Sequence, residues 1–415
     1  MTVTGQAPRV QRARTLPRRR LLGATLALVV FLWSWALLGH GFYHRNATVA
    51  QTSDTVLYQG YGVAMRAGKL PYRDFPLVYP PGGLPVFLAP AYAVSPNDLA
   101  GYQRWFARLM AGCGVACLLF VLASRPPARA VAFVAVSPLL IGSLLLSRFD
   151  LWPTALVAAA VAALLRDRSA LGFAALGAAL AAKLFAFVLL PVAALWTLRR
   201  AGPRALRRGL ASLAIVVAAA FAPFVALAPG GLWATLEEQA SRAIQIESLV
   251  GTALLTFAHP TEFDSLGAKS IAGYHAAAVV TTVVEAAVLI GLWLGFARGE
   301  MVADRFVRYL AACVCTFIAL GKVLSPQYLI WLVPLVPLVR GRRGLIATAL
   351  LGAAMIVTQY YYPGHYGSVT DGSLAWLVFV RDLALLVVLA LLALPALPAL
   401  PALPMMRARG SRASP

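Results

Sequence analysis

The sequence has little charge, and very little of it is negative. Only 12% of the 415 residues are Asp, Glu, Lys or Arg, whereas soluble proteins carry roughly twice that fraction. The sequence has 15 acidic residues against 36 basic ones, and the first acidic residue in the chain is Asp54. With 60% hydrophobic residues and a mean hydropathy of +0.77, this composition excludes an ordinary soluble domain and predicts a polytopic membrane protein.

Cysteine is also scarce. The four cysteines, Cys113, Cys117, Cys313 and Cys315, all lie inside apolar segments, where a buried thiol behaves as a small hydrophobe. They predict no disulfide framework and no metal site. Because the sequence contains no dedicated cluster of metal ligands, no cofactor is predicted with certainty, and a divalent cation stays open as a partner of phosphate chemistry.

The basic residues fall in short clusters between apolar runs. This pattern is typical of cytoplasmic loops in membrane proteins and not of a nucleic-acid-binding face, so no nucleic-acid partner is predicted. With the N-terminus inside, most basic clusters lie on the cytoplasmic side, which predicts that both termini are cytoplasmic. Two long loops, at about 41–103 and 229–273, then lie outside a bacterial cytoplasmic membrane.

The apolar runs predict an all-α transmembrane bundle of about twelve helices. The first run, "LLGATLALVVFLWSWALLGH", could be a signal peptide, but it lacks a clear small-residue cleavage site and is read as an uncleaved helix. The predicted spans are 21–40, 104–123, 130–147, 151–165, 169–182, 185–198, 209–228, 274–296, 306–322, 327–339, 344–360 and 374–394. They form one domain at 21–395, between a basic cytoplasmic tail at 1–20 and a Pro-rich, basic cytoplasmic tail at 396–415.

The first outer loop contains "PPGGLPVFLAPAYAV", an apolar run of about 15 residues broken by prolines. It is too short and too interrupted for a span, so we predict an interfacial or re-entrant helix at the outer membrane face.

A limited set of polar residues collects in the outer loops and at the outer ends of the predicted helices. Polar side chains at membrane depth are costly and usually face a cavity or one another. The set comprises Asp54, Arg66, Arg73, Asp74, Tyr79, Arg148, Asp150, Lys183, Gln245, Glu247, Lys322, Gln327, Tyr328 and His365.

Five motifs in order resemble the polyprenyl-phosphate-sugar-dependent glycosyltransferases of the GT-C superfamily. They are "SDTVLYQGYGVAMRAGKLPYRDFPLVYPPGG", "RFDLWPTAL", "AAKLFAFVLLP", "RAIQIESLVG" and "GKVLSPQYLIWLVPL". The chain is similar in particular to glycosyltransferase family 87, which includes bacterial mannosyltransferases. The resemblance runs across about residues 20 to 395, and it implies a GT-C fold and transfer of a sugar from a polyprenyl phosphate.

In that superfamily an acidic residue in the first outer loop is treated as the catalytic base, and the matching residue here is Asp54. Asp54 also precedes a plausible helix, "TVLYQGYGVAMRAG", and could cap it. The two roles are compatible. The lipid phosphate is already a good leaving group, so one carboxylate acting as base toward the acceptor hydroxyl is sufficient. Direct displacement inverts the anomeric centre, as in inverting glycosidases.

The departing phosphate needs cations, and Arg and Lys are the side chains that supply them. The candidates are Arg66, Arg73, Lys183 and Lys322. Lys183 and Lys322 each have a second interpretation, in which the side chain simply extends to the membrane interface.

The remaining candidates for substrate binding are Asp74, Tyr79, Arg148, Asp150, Gln245, Glu247, Gln327, Tyr328 and His365. Several have a plainer interpretation. Asp74 could be a turn residue paired with Arg73, and Asp150 could cap the helix that contains Pro153. Glu247 could be a solvated loop charge.

Two further residues keep a plainer interpretation beside a functional one. His365, in "YYYPGHYG", could anchor an aromatic belt at the interface instead of stacking on a sugar. Glu285 lies near the middle of an apolar span, where a carboxylate is a functional hypothesis by default. A structural partner, Arg381 or Arg108, is the interpretation that the sequence favours for it.

The leading hypothesis is an integral-membrane inverting mannosyltransferase on the outer side of the membrane. Its partners would be a polyprenyl-phosphate-linked donor, a lipid or glycan acceptor, and membrane lipids. The donor sugar could instead be arabinose or glucose. The competing classes are a secondary transporter or lipid-sugar flippase, favoured mainly by Glu285, and a structural subunit without activity.

Overall fold

The computed structural model describes residues 18–45, 53–265 and 267–394. The predicted C-terminal tail, and all but the last three residues of the predicted N-terminal tail, lie outside the described residues. Most of the described chain is helical, as predicted for an all-α bundle.

Sixteen α-helices are present in the described residues, numbered α1 to α16 in chain order. They are Arg18–Arg45, Thr55–Arg66, Leu84–Ala93, Leu99–Ala123, Ala128–Ile141, Leu144–Ser147, Leu151–Leu164, Ser169–Ala182, Leu190–Leu227, Pro229–Ser241, Leu249–Phe257, His275–Ala297, Ala303–Ala319, Gly341–Tyr361, Tyr366–Thr370 and Ala375–Ala393. Short 3₁₀ helices occur at Pro81–Gly83, Leu184–Leu189, Pro326–Leu332 and Val336–Leu338.

Six helical segments in the described residues are long and apolar enough to cross a membrane, so the chain is a multi-pass membrane protein. They are Leu21–His40, Leu99–Ala123, Leu184–Leu227, His275–Ala297, Gly341–Tyr361 and Ala375–Ala393. Four shorter apolar segments, Ala128–Ile141, Leu151–Leu164, Ser169–Ala182 and Pro326–Leu338, coincide with other predicted spans. At about 1.5 Å per residue, 14 residues reach only about 21 Å. The predicted count of twelve spanning helices is therefore not confirmed.

One long apolar segment is interrupted where the sequence predicted a break. Within α9, Gly202 has φ 82° and ψ 176°, a left-handed conformation that suits glycine. Pro203 follows, and its fixed φ suits the first turn of a new helix. The predicted spans 185–198 and 209–228 are thus two arms joined at a kink.

The segment predicted as a span at 327–339 is not an α-helix. It consists of 3₁₀ turns because Pro326, Pro334 and Pro337 lack the N–H groups that an α-helix needs. Leu329, Ile330 and nearly every residue around them are buried. Irregular backbone of this kind is tolerated at membrane depth only where protein surrounds it.

The segment predicted as the first outer loop contains the helix that was predicted for its apolar run. Helix α3 has ten residues, too few to cross a bilayer. Its Val86, Phe87 and Ala91 are buried against the neighbouring helices α2 and α4, so part of its apolar surface faces the protein.

The segment predicted as the second outer loop contains a feature that the all-α prediction missed. Residues Glu262–Ser265 and Ala268–Ile271 form a two-stranded antiparallel hairpin, β1 and β2. Backbone bonds from Ile246 to Lys269 (3.1 Å) and from Ile271 to Ile244 (2.8 Å) attach it to the segment before α11. Strands of four residues carry too little periodicity to be distinguished from loop in a sequence.

The two segments predicted as outer loops pack on each other, and the first also packs on helix α8. Gly82 approaches α8 so closely that a Cβ atom there would lie 2.5 Å from backbone atoms of Ala181 and Ala182. The Thr235 hydroxyl, on α10, donates to the Leu77 carbonyl oxygen at 2.9 Å. Through these contacts, the interruptions between helices that contain the candidate residues lie close together.

Candidate active site

A cavity in the described part of the chain has a volume of about 740 Å³. Most of its polar lining comes from breaks between helices, where side chains leave the bundle core. Nine of the predicted site residues line it: Asp54, Tyr79, Arg148, Lys183, Gln245, Glu247, Lys322, Gln327 and Tyr328.

Asp54 lies at the cavity wall, immediately before α2. Its carboxylate forms an ion pair with Arg148 and accepts hydrogen bonds from the hydroxyls of Tyr79 (3.2 Å) and Tyr58 (3.3 Å). The side chain is 23% exposed, so part of the carboxylate faces the open cavity. Asp54 makes no side-chain capping bond to α2. The predicted capping role is wrong, because the carboxylate points to Arg148 and the tyrosines instead.

The tyrosines beside Asp54 are held in an aromatic cluster. Tyr58 stacks on Phe87 with ring centroids 4.5 Å apart, and Tyr79 meets Phe149 edge to face at 5.0 Å. Burial raises the pKa of both tyrosine hydroxyls well above the usual value, so they stay protonated donors near neutral pH.

Arg148 connects two sides of the cavity. It follows α6, and its guanidinium contacts both Asp54 and the hydroxyl of Tyr362. The arginine side chain is only 10% exposed. A planar guanidinium has five N–H donors in a fixed fork. The contacts to Asp54 and Tyr362 use only some of them, so the remaining N–H groups can donate to a phosphate or hydroxyl oxygen in the cavity.

Lys183 is enclosed at the end of α8. Its ammonium pairs with Asp150 at 2.6 Å and lies 5.0 Å from the ring centroids of Tyr328 and Trp331 and 5.2 Å from that of Phe149. The interface-seeking interpretation of Lys183 is therefore wrong: its charge is held by a carboxylate and aromatic rings.

Asp150 is a partner of Lys183 and not a helix cap. It makes no side-chain capping bond to α7. Its Oδ1 accepts from Lys183 and, at 2.7 Å, from the indole N–H of Trp331, while the residue is 1% exposed. Asp150 lies behind the cavity surface and fixes Lys183 there.

Lys322 lies on another wall of the cavity, with Arg242 and Glu285. Its ammonium donates to the carbonyl oxygen of Ala240 at 3.0 Å. Burial lowers the pKa of Lys322, Glu285 opposes that shift, and Arg242 adds to it. Glu285 lies near Lys322, because a Cβ atom at the adjacent Gly321 would be 3.5 Å from Glu285 Oε2, and the predicted partners are wrong. Arg381 pairs with Asp382 at 2.8 Å, and Arg108 lies over the ring of Trp105.

Gln245 and Glu247 belong to the short segment between α10 and α11. The Gln245 amide bonds to the Ser325 hydroxyl at 3.1 Å, and its backbone N–H donates to the Lys322 carbonyl at 2.9 Å. Glu247 is 1% exposed and accepts a hydrogen bond from the Tyr366 hydroxyl at 3.0 Å. The interpretation of Glu247 as a solvated loop charge is wrong, because the side chain is buried.

Besides Asp150, four predicted site residues do not line the cavity. Arg66 donates to the carbonyls of Ala91 (2.9 Å) and Val94 (2.8 Å). Arg73 and Asp74 form an exposed ion pair at 2.9 Å, and hydrogen bonds from Arg73 and the Leu70 N–H lower the pKa of Asp74 to about 2. The turn interpretation of Asp74 is the one that fits.

His365 is the fourth. It stacks on Tyr360 at 4.7 Å and its Nδ1 lies 2.8 Å from the Tyr360 carbonyl, outside the cavity. Its neighbours in sequence, Tyr362 and Tyr366, line the cavity instead. In "YYYPGHYG" nothing in the letters distinguishes the rings that turn inward from those that turn outward.

Sequence reasoning also passed over cavity residues that carry no unusual local signal. Arg242, Gln239 and Trp331 line the cavity, as do the two tyrosines just named. Glu285, for which the sequence favoured a structural partner, lines it too. Arg242 and Trp331 lie within the quoted motifs, so the motifs indicated the right segments without identifying these positions. Among the described residues, no group of three or more His, Cys, Asp or Glu side chains is placed to hold a metal ion.

Comparison with known proteins adds little. No family model matches the chain, and no curated protein is similar to it in sequence. A solved structure, ArnT from Cupriavidus metallidurans bound to undecaprenyl phosphate, matches with a TM-score of 0.47 and 13% identity. The match covers 90% of this chain and 77% of that one. A likeness at this level carries no argument about the function of this chain.

Proposed function

We propose that this protein is an integral-membrane inverting glycosyltransferase that uses a polyprenyl-phosphate-linked sugar. The observation that carries the proposal is one cavity whose lining contains a carboxylate, Asp54, and four cationic side chains. These are Arg148, Lys183, Arg242 and Lys322. A base for a hydroxyl and cations for a phosphate are the two requirements of this transfer.

In the proposed reaction Asp54 accepts the proton of an acceptor hydroxyl as that oxygen attacks the anomeric carbon of the donor. The bond from this carbon to the phosphate oxygen breaks, and the electron pair leaves with the lipid phosphate. Attack from the opposite face inverts the anomeric centre, so a β-linked donor gives an α-linked product. The proton remains on Asp54 until the product leaves.

Arg148 has the geometry to align the two halves of the reaction. It pairs with Asp54 and is held on its other side by Tyr362. Incoming phosphate oxygens would share this guanidinium with Asp54 and orient the base toward the acceptor. Lys183 and Lys322, which also line the cavity, then provide further positive charge. Arg66 and Arg73, outside the cavity, have no part in the proposed step.

Mannose is the proposed donor sugar, and a lipid-linked glycan is the proposed acceptor. The motifs similar to family 87 support this choice. The basic clusters support an extracytoplasmic site with both termini in the cytoplasm. Competition of labelled polyprenyl-phosphate mannose with the arabinose and glucose derivatives tests the sugar, and repeating the assay with EDTA tests whether a divalent cation shares the phosphate.

The test of the reaction compares membranes that contain wild type, Asp54→Asn or Asp264→Asn. Each receives radiolabelled polyprenyl-phosphate mannose and a mixed pool of lipid acceptors. We expect Asp54→Asn to lose about 10²–10⁴-fold in transfer rate. The matched control changes Asp264, whose side chain is 78% exposed on the hairpin, and should transfer like wild type. Equal transfer by Asp54→Asn at equal expression would overturn the assignment.

A transporter or flippase is the second candidate, because Glu285 lies in a spanning helix and lines the same cavity. A transporter would move labelled lipid across the bilayer of reconstituted vesicles without forming a new glycoside. Topology is tested at Gly60, which is exposed and has open space where a side chain would lie. Reaction of Gly60→Cys with an impermeant thiol reagent from the cytoplasmic side would overturn the outer location.

A further inference from the structure

Glu247 is an acid at the cavity wall that the proposed chemistry leaves unused. Oε1 accepts the hydrogen bond from Tyr366, but Oε2 is buried and accepts none from the described residues. The amide of Gln245, which lies nearby, is bonded to Ser325. A buried carboxyl oxygen without a partner is costly unless a ligand or a proton satisfies it.

The nearest cation is already engaged. Arg381 is fully buried, pairs with Asp382 at 2.8 Å and donates to the backbone carbonyl of Glu247 at 3.1 Å. Asp382 in turn accepts from the Thr252 hydroxyl at 2.8 Å. Arg381 therefore holds the Glu247 backbone in place, and within the described part of the chain no cation forms an ion pair with the Glu247 carboxyl group.

A continuous wall leads from Glu247 to the catalytic carboxylate. Tyr366 donates to Glu247, its ring meets that of Tyr362 edge to face at 5.5 Å, and Tyr362 contacts Arg148, the partner of Asp54. Hydroxyl groups and aromatic faces that alternate along a wall are suited to a sugar ring, which presents hydroxyls at its edge and C–H groups on its faces.

We propose that Glu247 binds a saccharide hydroxyl in its protonated form, in a subsite with Tyr362 and Tyr366 that is separate from the catalytic carboxylate. The neutral acid donates a hydrogen bond through its O–H and accepts one at the other oxygen. Glu247 then determines which saccharide the cavity accepts, while Asp54 performs the chemistry. This inference rests on the proposed function.

The surroundings of Glu247 support the neutral form. Burial raises the pKa of Glu247 to about 7, against opposing effects of which the Tyr366 hydrogen bond is the largest and which include the charge of Arg381. Tyr361 and Asp382 are further titratable groups beside Arg381, and Lys322 and Lys269 lie in the segments whose backbone bonds to Gln245 and Ile246. Burial holds the pKa of Tyr366 well above its usual range, so it stays a donor across the tested pH.

The experiment measures KM and kcat of the full-length protein in proteoliposomes between pH 5.5 and 8.5, for wild type, Glu247→Gln and Glu247→Ala. For wild type we expect KM for one saccharide substrate to rise about tenfold above pH 7, as Glu247 loses its proton. Glu247→Gln, which mimics the neutral acid, should keep the low KM at all pH values. Glu247→Ala should show a KM about tenfold higher throughout, with kcat within about threefold of wild type.

Two arms identify the saccharide: KM for polyprenyl-phosphate mannose reports a donor contact, and KM for a phosphatidylinositol mannoside reports an acceptor contact. The matched control is Glu237→Gln, the same chemical change at an exposed position of α10. An unchanged KM in Glu247→Ala, or a Glu247→Gln profile that still rises with pH, would overturn the inference.

Binding of both radiolabelled lipids is measured separately in the Asp54→Asn background, with and without Glu247→Ala. If wild type transfers no sugar but the binding of a lipid still depends on Glu247, the result supports the Glu247 subsite and contradicts the proposed transferase activity. If sugar transfer depends on Asp54 while neither lipid binding nor KM depends on Glu247, the result supports the proposed transferase activity and contradicts the Glu247 subsite.

Discussion

The protein contains two carboxylate–guanidinium pairs in very different surroundings. Asp54 and Arg148 come from distant parts of the chain, meet at a cavity, and remain 23% and 10% exposed. Arg381 and Asp382 are neighbours in α16, and both side chains are fully buried. A pair that borders a cavity can exchange one partner for a substrate group, whereas an enclosed pair can only hold structure.

The contacts around each pair show the same division. Arg381 and Asp382 bond to the backbone of Glu247 and to the Thr252 hydroxyl, so they fasten the second outer loop to α16. Asp54 and Arg148 are surrounded by tyrosine hydroxyls. One carboxylate–guanidinium pair therefore anchors a loop, whereas the other takes part in catalysis in the proposed reaction.

The largest effect is expected from breaking the enclosed pair. Arg381→Ala leaves Asp382 as a buried carboxylate without a counter-ion, which costs about 3–5 kcal/mol of folding free energy. We expect little folded protein in membranes and a lower melting midpoint in detergent. The double variant Arg381→Met/Asp382→Leu removes both charges and should recover much of the folded yield. A normal midpoint for Arg381→Ala would show that the pair is not an anchor.

Breaking the Asp54–Arg148 pair should reduce activity and leave stability largely unchanged, the reverse of what is expected for the enclosed pair. Arg148→Ala is expected to reduce transfer about 100-fold, because it removes the proposed link between base and phosphate, while the melting midpoint changes little. Arg104→Ala, at an exposed position of α4, is the control. A large loss of stability in Arg148→Ala would place this pair in the anchoring class with Arg381 and Asp382.

Lys183 and Asp150 share features of both classes, and a double variant separates them. Lys183→Met alone leaves buried Asp150 unpaired and should lower both stability and transfer. Lys183→Met/Asp150→Asn restores much of the stability, but its KM for the lipid-phosphate donor should stay about tenfold above wild type. If the double variant regains normal donor KM, Lys183 is structural and does not contact phosphate.

The smallest effect is expected at the exposed pair of the first outer loop. Arg73→Ala removes a cation whose side chain is 57% exposed and outside the cavity, and solvent-exposed ion pairs contribute little. We expect transfer within twofold of wild type in the same membrane assay, with Arg104→Ala again as the control. A tenfold loss would support the sequence-based assignment of Arg73 to the donor phosphate.

Much of the candidate site could be predicted from sequence because its residues follow helix breaks that leave local signals. Asp54, Arg148, Lys183, Glu247 and Lys322 lie in motifs where apolar runs end in charged or polar residues. Arg66, Arg73, Asp74 and His365 lie in equally polar stretches, and only packing directs them away from the cavity. Local composition identifies a turn, but it does not specify which side of the turn faces inward.

The partners of the buried charges show the same limit. Glu285 was expected to meet Arg381 or Arg108, whereas it lies near Lys322 in the cavity and Arg381 is paired with the next residue, Asp382. The sequence shows that an isolated intramembrane carboxylate needs a partner. It does not show which helix supplies one, because that depends on helix order and rotation in the bundle.

By itself the sequence determined that this chain is a helical, multi-pass membrane protein and where most of its breaks occur. Those properties follow from runs of apolar residues and from prolines, which act over a few neighbouring positions. The tertiary structure alone decided that Asp54 meets Arg148, that Lys183 pairs with Asp150, and that one buried oxygen of Glu247 accepts no hydrogen bond from the described residues. These pairings join segments far apart in the chain, so they depend on how the whole bundle packs.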